Sequence, residues 1–321
     1  GCRSSGRRGG VDVDMRIGVI ADDLTGANDT GVQFAKRGAR TLVPLDWHDL
    51  ESLARSAALL VLNTNSRAAA PRVAAQRARV AAEALRRTGV AAVYKKIDST
   101  FRGNVGQELD AILDVFPSPL AVLTPAFPPA ARAVRDGSLL VRGVPVHQTA
   151  IGSDPVTPVR QSHLPTLLES QVRRAVHCLD LGALRGASVG VMRALREWRT
   201  ASPGIVLADA VTPRDLARLA RLLLREGLFG VAAGSAGLAT ALSEAMSWPR
   251  RARRIRPEAA GPVLLVVGSP NPTSLEQVAR VEASCRATVI RAALPEVMAD
   301  GIRYRRELAR VPAEQVEGAD W

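Results

Sequence analysis

Two short runs each gather several reactive side chains just after an apolar stretch. The first is Ala21-Asp22-Asp23-Leu24-Thr25-Gly26-Ala27-Asn28-Asp29, which follows the apolar run 15–21 and leads into a helix-like segment. Helix starts offer free N–H groups and the positive end of the dipole, so they attract anions. Carboxylates placed there accept hydrogen bonds from ligand hydroxyls or hold a cation. The plainer account is that Asp23 or Thr25 caps the helix. The second run is Tyr94-Lys95-Lys96-Ile97-Asp98-Ser99-Thr100-Phe101-Arg102-Gly103-Asn104. It packs cations, a carboxylate, hydroxyls and a guanidinium into one turn. The chain has only three lysines, Lys36, Lys95 and Lys96, so two of them stand here while arginine serves elsewhere. An ammonium is a compact point charge and a guanidinium a planar fork, so the choice points to a bound carboxylate or phosphate. The plainer account is a surface ion-pair cluster in which Ser99 or Thr100 caps the next helix.

Weaker signals follow. Thr124-Pro125-Ala126-Phe127-Pro128-Pro129, with Arg132 and Asp136-Gly137 beyond it, reads as a rigid loop. Asp154-Pro155-Val156-Thr157-Pro158 precedes Ser162-His163. No Gly-x-Ser-x-Gly elbow accompanies that serine, so Ser162 is expected to cap a helix and His163 to be structural. Gly234-Ser235-Ala236-Gly237 and Gly268-Ser269-Pro270-Asn271-Pro272-Thr273 each follow an apolar run and open a helix. Small residues there let an anion approach the backbone. Neither matches a P-loop or a dinucleotide fingerprint.

The elements that must position these groups alternate. Residues 15–21, 40–45, 58–63, 90–95 and 119–124 read as buried strands, and 27–38, 71–88 and 104–116 as helices between them. Residues 132–162 are rich in Gly, Pro and short β-like pieces and read as a hairpin excursion or lid. Alternation resumes with strands at 204–210 and 228–234, helices from Pro213 and Ser235, a strand at 262–268 and a helix from about Pro272. The expected fold class is α/β: a Rossmann-like parallel sheet with right-handed crossovers. Ligands of such sheets bind beyond the carboxyl ends of the strands, where both polar runs fall. The expected organisation is a disordered tail over 1–14, a domain over 15–247, a Pro- and Arg-rich linker over 248–261 and a small, partial domain over 262–321.

Composition narrows the classes of function. Hydrophobic residues make up 47% of the 321 and aromatic ones only 3%, so the core is aliphatic. The net charge of +12 invites a nucleic-acid reading. However, arginine is spread along the whole chain, and the densest basic run, 250–256, lacks the interleaved aromatics of a stacking platform. No nucleic-acid partner is expected. Cys2, Cys178 and Cys285 show no metal or redox spacing. No uncharged stretch, 227–243 included, reaches the ~20 residues a membrane span needs. A soluble, cytoplasmic protein without a membrane partner is expected. From the residues alone, the chain is an α/β enzyme handling a small polyhydroxylated anion, with a phosphate donor open.

The runs IADDLTGANDTG, YKKIDSTFRGN, TPAFP, DPVTPVRQSHLP, GSAGLA and GSPNPTSLEQV occur here in an order that resembles the four-carbon acid sugar kinases. These include threonate, erythronate and 3-oxo-tetronate kinases. The resemblance spans Met15 to Gln277, and its first two motifs together are specific. It implies a sugar-acid-binding domain followed by an incomplete α/β nucleotide-binding domain, and ATP-dependent phosphorylation of a terminal hydroxyl with Mg²⁺. It implies that Asp22, Asp23, Lys96, Asp98, Ser99, Thr100 and Arg102 line the acid-sugar site, with Asp23 orienting the attacking hydroxyl and Lys96 or Arg102 taking the substrate carboxylate. Ser269 and Asn271 would lie by the nucleotide phosphates, and a homodimer is implied. Two departures stand out. Ala131-Arg132 replaces a Gly-Arg pair, and the later Gly-rich ATP segments are not found after Thr288. The alternative reading is therefore a sugar-acid-binding remnant without kinase activity.

Overall fold

The computed structural model describes residues 15–186, 188–248, 265–268, 272–284, 289 and 291. The chain divides into two compact units, Gly1–Arg253 and Arg254–Trp321.

In the first unit the elements run β1 (Ile17–Ala21), α1 (Leu24–Ala35), β2 (Thr41–Leu42), α2 (Leu50–Ala54), β3 (Leu59–Asn63), α3 (Pro71–Arg87), β4 (Ala92–Lys96), α4 (Val105–Val115) and β5 (Leu120–Thr124). Then come β6 (Arg132–Arg135), β7 (Ser138–Val141), β8 (Val144–Pro145), α5 (Leu164–Glu169), β9 (Ala175–Leu179), α6 (Leu181–Arg185), α7 (Ser188–Ala201), β10 (Gly204–Ala208), α8 (Pro213–Arg225), β11 (Val231–Gly234) and α9 (Ala236–Ala245). Eight strands form one parallel sheet in the order β2-β3-β1-β4-β11-β5-β10-β9. The α/β expectation is met. Strands β1, β5 and β10 are buried at every position, as a parallel sheet covered on both faces requires.

Local chemistry sets most boundaries. Pro71 opens α3, whose buried stripe is Ala74, Ala78, Ala81, Ala82, Ala84 and Leu85. So many alanines bring the helix close to the sheet; a Cβ at Gly18 of β1 would stand 2.6 Å from Leu85. Thr212 and Asp215 form a reciprocal capping box at the start of α8. α1 begins three residues before the expected position because Asp23 caps it, its Oδ1 accepting from Gly26 N at 2.8 Å.

The 132–162 excursion is a three-stranded antiparallel sheet, β6-β7-β8. Asp209, at the end of β10, fastens its first turn by accepting from Asp136 N and Gly137 N at 2.7 and 3.0 Å. Ser162 does not cap α5: its hydroxyl lies 2.6 Å from His147 Nδ1, and His163 occupies the cap position, its ring bonded to the Thr166 hydroxyl rather than to a backbone N–H. The run 40–45 yields only the two-residue β2, on the sheet edge.

In the second unit, α10 (Pro272–Ser284) forms where a helix is expected. Residues 265–268, the described part of the strand expected over 262–268, are not in a strand, and Leu265, Val266 and Val267 are exposed. A strand needs a ladder partner to bury such a face.

Candidate functional site

Five adjacent strands, β3-β1-β4-β11-β5, send their carboxyl ends into one rim of the sheet. A pocket of about 260 Å³ opens there. The residues after β1 give it Asp23, Thr25, Gly26 and Asp29; β3 is followed by Arg67; β4 and its turn give Lys96, Asp98, Ser99 and Arg102. Phe127 follows β5, and Ser235 with Ala236 follow β11.

Strand alternation separates the two lysines of β4. Lys96 faces the pocket, whereas Lys95 points to the opposite face and lies 2.5 Å from Glu108 of α4, both side chains 1% exposed. Lys96 is 5% exposed, and among the described residues no carboxylate lies within ion-pair distance of its ammonium. Burial lowers its pKa, and the charges of Asp22, Asp98 and Asp23 act against that. Gly26 makes room for it: a Cβ there would stand 2.8 Å from Lys96 Nζ and 2.5 Å from Asp23 Oδ1.

Arg67 organises the acidic pair. Its Nε and Nη2 donate to the two oxygens of buried Asp22, each at 2.9 Å, and its Nη1 donates to Asp23 Oδ2 at 2.7 Å. Burial alone would lower the Arg67 pKa; the bonds and charges of Asp22, Asp98 and Asp23 raise it well above its ordinary value. Asp23 has both oxygens engaged, one as helix cap and one on Arg67.

The turn after β4 is held by its own side chains. Asp98 accepts from Arg102 Nε at 2.9 Å, from Thr100 N at 3.2 Å and from the Thr100 hydroxyl. Burial pushes the Asp98 pKa up, but Arg102 and Thr100 win and hold the carboxyl well below the usual range. Arg102 also reaches Asp154 of the antiparallel excursion at 3.4 Å. Phe101 adopts a left-handed backbone, φ 65°, inside this turn, a conformation a bulky residue keeps only when its surroundings enforce it. Neither Ser99 nor Thr100 caps α4, whose cap position is Asn104.

Of the seven acid-site residues expected from the sequence, Asp23, Lys96, Asp98, Ser99 and Arg102 line the pocket, while Asp22 and Thr100 sit buried behind it. Ser269 and Asn271 lie outside the described residues. Sequence reasoning missed Arg67 and did not single out Asp29 or Phe127. A signal for Arg67 exists: the polar run Asn63-Thr64-Asn65-Ser66-Arg67 follows an apolar strand, as the other two runs do.

The pocket can receive a small anion at its cations and hydroxyl groups at its carboxylates. It does not fit a resident metal ion. Among the described residues no group of His, Cys, Asp and Glu forms a metal cluster, and Asp22, Asp23 and Asp98 are all bonded to arginine. Among the described residues no helix is long and apolar enough to cross a membrane.

A family profile described as a sugar-binding N-terminal domain matches residues 17–242. A D-threonate kinase of Salmonella typhimurium is 38% identical over 86% of this chain and 63% of its own length. A D-erythronate kinase of Heliobacterium modesticaldum is 36% identical over 94% of this chain and 68% of its own. A Bordetella bronchiseptica protein, solved as a domain-swapped dimer with bound citrate, superposes with a TM-score of 0.63 at 35% identity, covering 95% of this chain and 72% of that one. The chain thus spans roughly two thirds of the length of the curated relatives it matches.

Proposed function

Because the chain belongs to the four-carbon acid sugar kinase family, we propose that its pocket binds a four-carbon sugar acid for ATP-dependent phosphorylation of a terminal hydroxyl. The observation that carries this reading is the buried Lys96 ammonium, aimed into the pocket without a carboxylate partner among the described residues. A buried charge without a partner is costly, and a ligand carboxylate offsets that cost. Arg67 and Arg102 flank it and favour the same anion. Asp23 and Asp98 accept hydrogen bonds from the ligand's hydroxyls, and Ser99 supplies a further donor and acceptor. Asp22 and Thr100 act through Arg67 and Asp98, whose orientations they fix. The names of the relatives, D-threonate and D-erythronate kinase, agree with this substrate class. The citrate held by the Bordetella relative shows that its fold accepts a small carboxylate.

ATP supplies the phosphoryl group in this reading. Ser269 and Asn271 remain its proposed neighbours. Mg²⁺ belongs to the reading as the companion of ATP, and Asp22, Asp23 and Asp98 are engaged by arginine. A homodimer belongs to the reading by analogy with the Bordetella protein.

A second reading has its own support: every described lining residue of the pocket belongs to the first unit, so acid binding stands without nucleotide. Calorimetric titration with D-threonate, L-threonate, D-erythronate and 3-oxo-tetronate, then with MgATP, separates the two. Micromolar to millimolar binding of one acid, followed by ADP release with ATP present, supports the kinase. Acid binding without turnover supports the binding domain. Binding of no acid removes both.

A further inference from the structure

The pocket contains three carboxylates, Asp23, Asp29 and Asp98, and they differ in what they are free to do. Asp23 spends one oxygen on the start of α1 and the other on Arg67. Asp98 is fixed by Arg102 and Thr100. Asp29 stands one turn into α1, half-buried, on the helix face that carries Thr25 and Gly26 into the pocket. Among the described residues its carboxylate makes no hydrogen bond and no ion pair; its backbone carbonyl accepts from Gln33 Nε2 at 3.0 Å.

Asp29 shares the α1 face of Thr25 and Gly26, and among the described residues it is the pocket carboxylate that no protein donor occupies. A four-carbon acid with its carboxylate at Lys96 and the arginines leaves its hydroxyls to the acceptors of the pocket.

We propose that Asp29 is the catalytic carboxylate that receives the terminal hydroxyl of the substrate, accepting its hydrogen bond on binding and its proton on transfer. This rests on the sugar-acid kinase reading. In the step itself the terminal oxygen forms a bond to the γ-phosphorus of the nucleoside triphosphate. The bond from that phosphorus to its bridging oxygen breaks, the nucleoside diphosphate leaves with that electron pair, and the hydroxyl proton passes to Asp29. Such a group mostly orients the attacking oxygen, so a free acceptor oxygen matters more than strong basicity. At Asp23 and Asp98 protein donors already engage both carboxylate oxygens, so a ligand hydroxyl there shares its acceptor.

The test compares two ligands by calorimetry: the preferred four-carbon acid and its 4-deoxy analogue, 2,3-dihydroxybutanoate of matching configuration. A hydrogen bond to a charged group predicts that the native chain prefers the hydroxylated ligand by about tenfold or more. In Asp29→Ala that preference is expected to vanish to within about twofold, with the affinity for the deoxy ligand nearly unchanged. Asp23→Ala is expected to weaken both ligands together and to keep the preference. Should Asp29→Ala not fold, Asp29→Asn is read in the same way, with the preference reduced to about threefold. A tenfold preference surviving in a folded Asp29 variant overturns the assignment. If the native chain binds neither ligand, the sugar-acid reading itself fails and this assignment falls with it.

Discussion

Lys95 and Lys96 are neighbours in sequence with opposite surroundings, and their substitutions should differ in kind. Lys96 faces the pocket and burial already lowers its pKa. Lys96→Gln should leave the melting temperature unchanged or higher and weaken acid binding at least tenfold. Lys95 meets Glu108 where both are almost wholly buried. Removing one partner of a buried pair leaves a charge unpaired and costs about 3–5 kcal/mol, so Lys95→Met should unfold far more readily in urea. Equal binding losses at equal stability in the two variants would argue against this division. Asp98 gives a pH signature. Its carboxyl is held below the usual range by Arg102, so its contribution is complete above the unfolded value of about 4 and is lost as pH falls below it. Melting temperature should therefore drop more steeply below pH 4 for the native chain than for Asp98→Asn; parallel curves would remove the effect. The sequence displayed Lys96 and Asp98 because scarce lysines and clustered polar types draw attention. It hid Arg67, one arginine among many, because what distinguishes it is the Asp22–Asp23 pair it meets across the sheet.

At the level of elements, α1 positions two of the pocket's carboxylates. Its first turn holds the cap Asp23, the pocket residue Gly26 and, one turn on, Asp29. Gly26→Ala should raise helix propensity by up to about 1 kcal/mol. The added methyl would meet the capping oxygen, Asp23 Oδ1, at 2.5 Å and Lys96 Nζ at 2.8 Å, and disturbing the cap offsets that gain. Stability should stay nearly constant while acid affinity falls several-fold, measurable by pairing thermal melts with titration. A variant binding as well as the native chain would show that Lys96 has room to spare. Such elements were legible because each announces itself locally: Pro71 before an Ala-rich stripe, Thr212 three residues before Asp215, five-residue apolar strands. The stretch holding α5, β9, α6 and α7 was not. β9, Ala-Val-His-Cys-Leu, lies on the sheet edge and buries only Leu179. Half-exposed edge strands lack the apolar run that marks a central one. Residues 265–268, the described part of the run 262–268, show the converse: they are apolar and form no strand.

For the whole molecule, the arrangement of the site matters more than its residue list. The five strands that frame the pocket are contiguous in the sheet but come from positions 17 to 234 of the chain. The pocket therefore exists only when the entire parallel sheet has assembled. Parallel pairings between distant segments form together or not at all, so binding should disappear in one step with the fold. All described lining residues, the core and the antiparallel excursion lie within Gly1–Arg253. Trp248 closes that unit: its ring packs edge-on against Phe34 at 5.9 Å and its Nε1 donates to Ser243 O. A fragment ending at Arg253 keeps these contacts, whereas one ending at Met246 loses them. The longer fragment should unfold cooperatively and bind the sugar acid within about twofold of the full chain. The shorter one should melt several degrees lower and still bind when cold. Loss of acid binding in the longer, folded fragment would mean that the second unit contributes to the acid site, and the first unit would no longer suffice as the sugar-binding module.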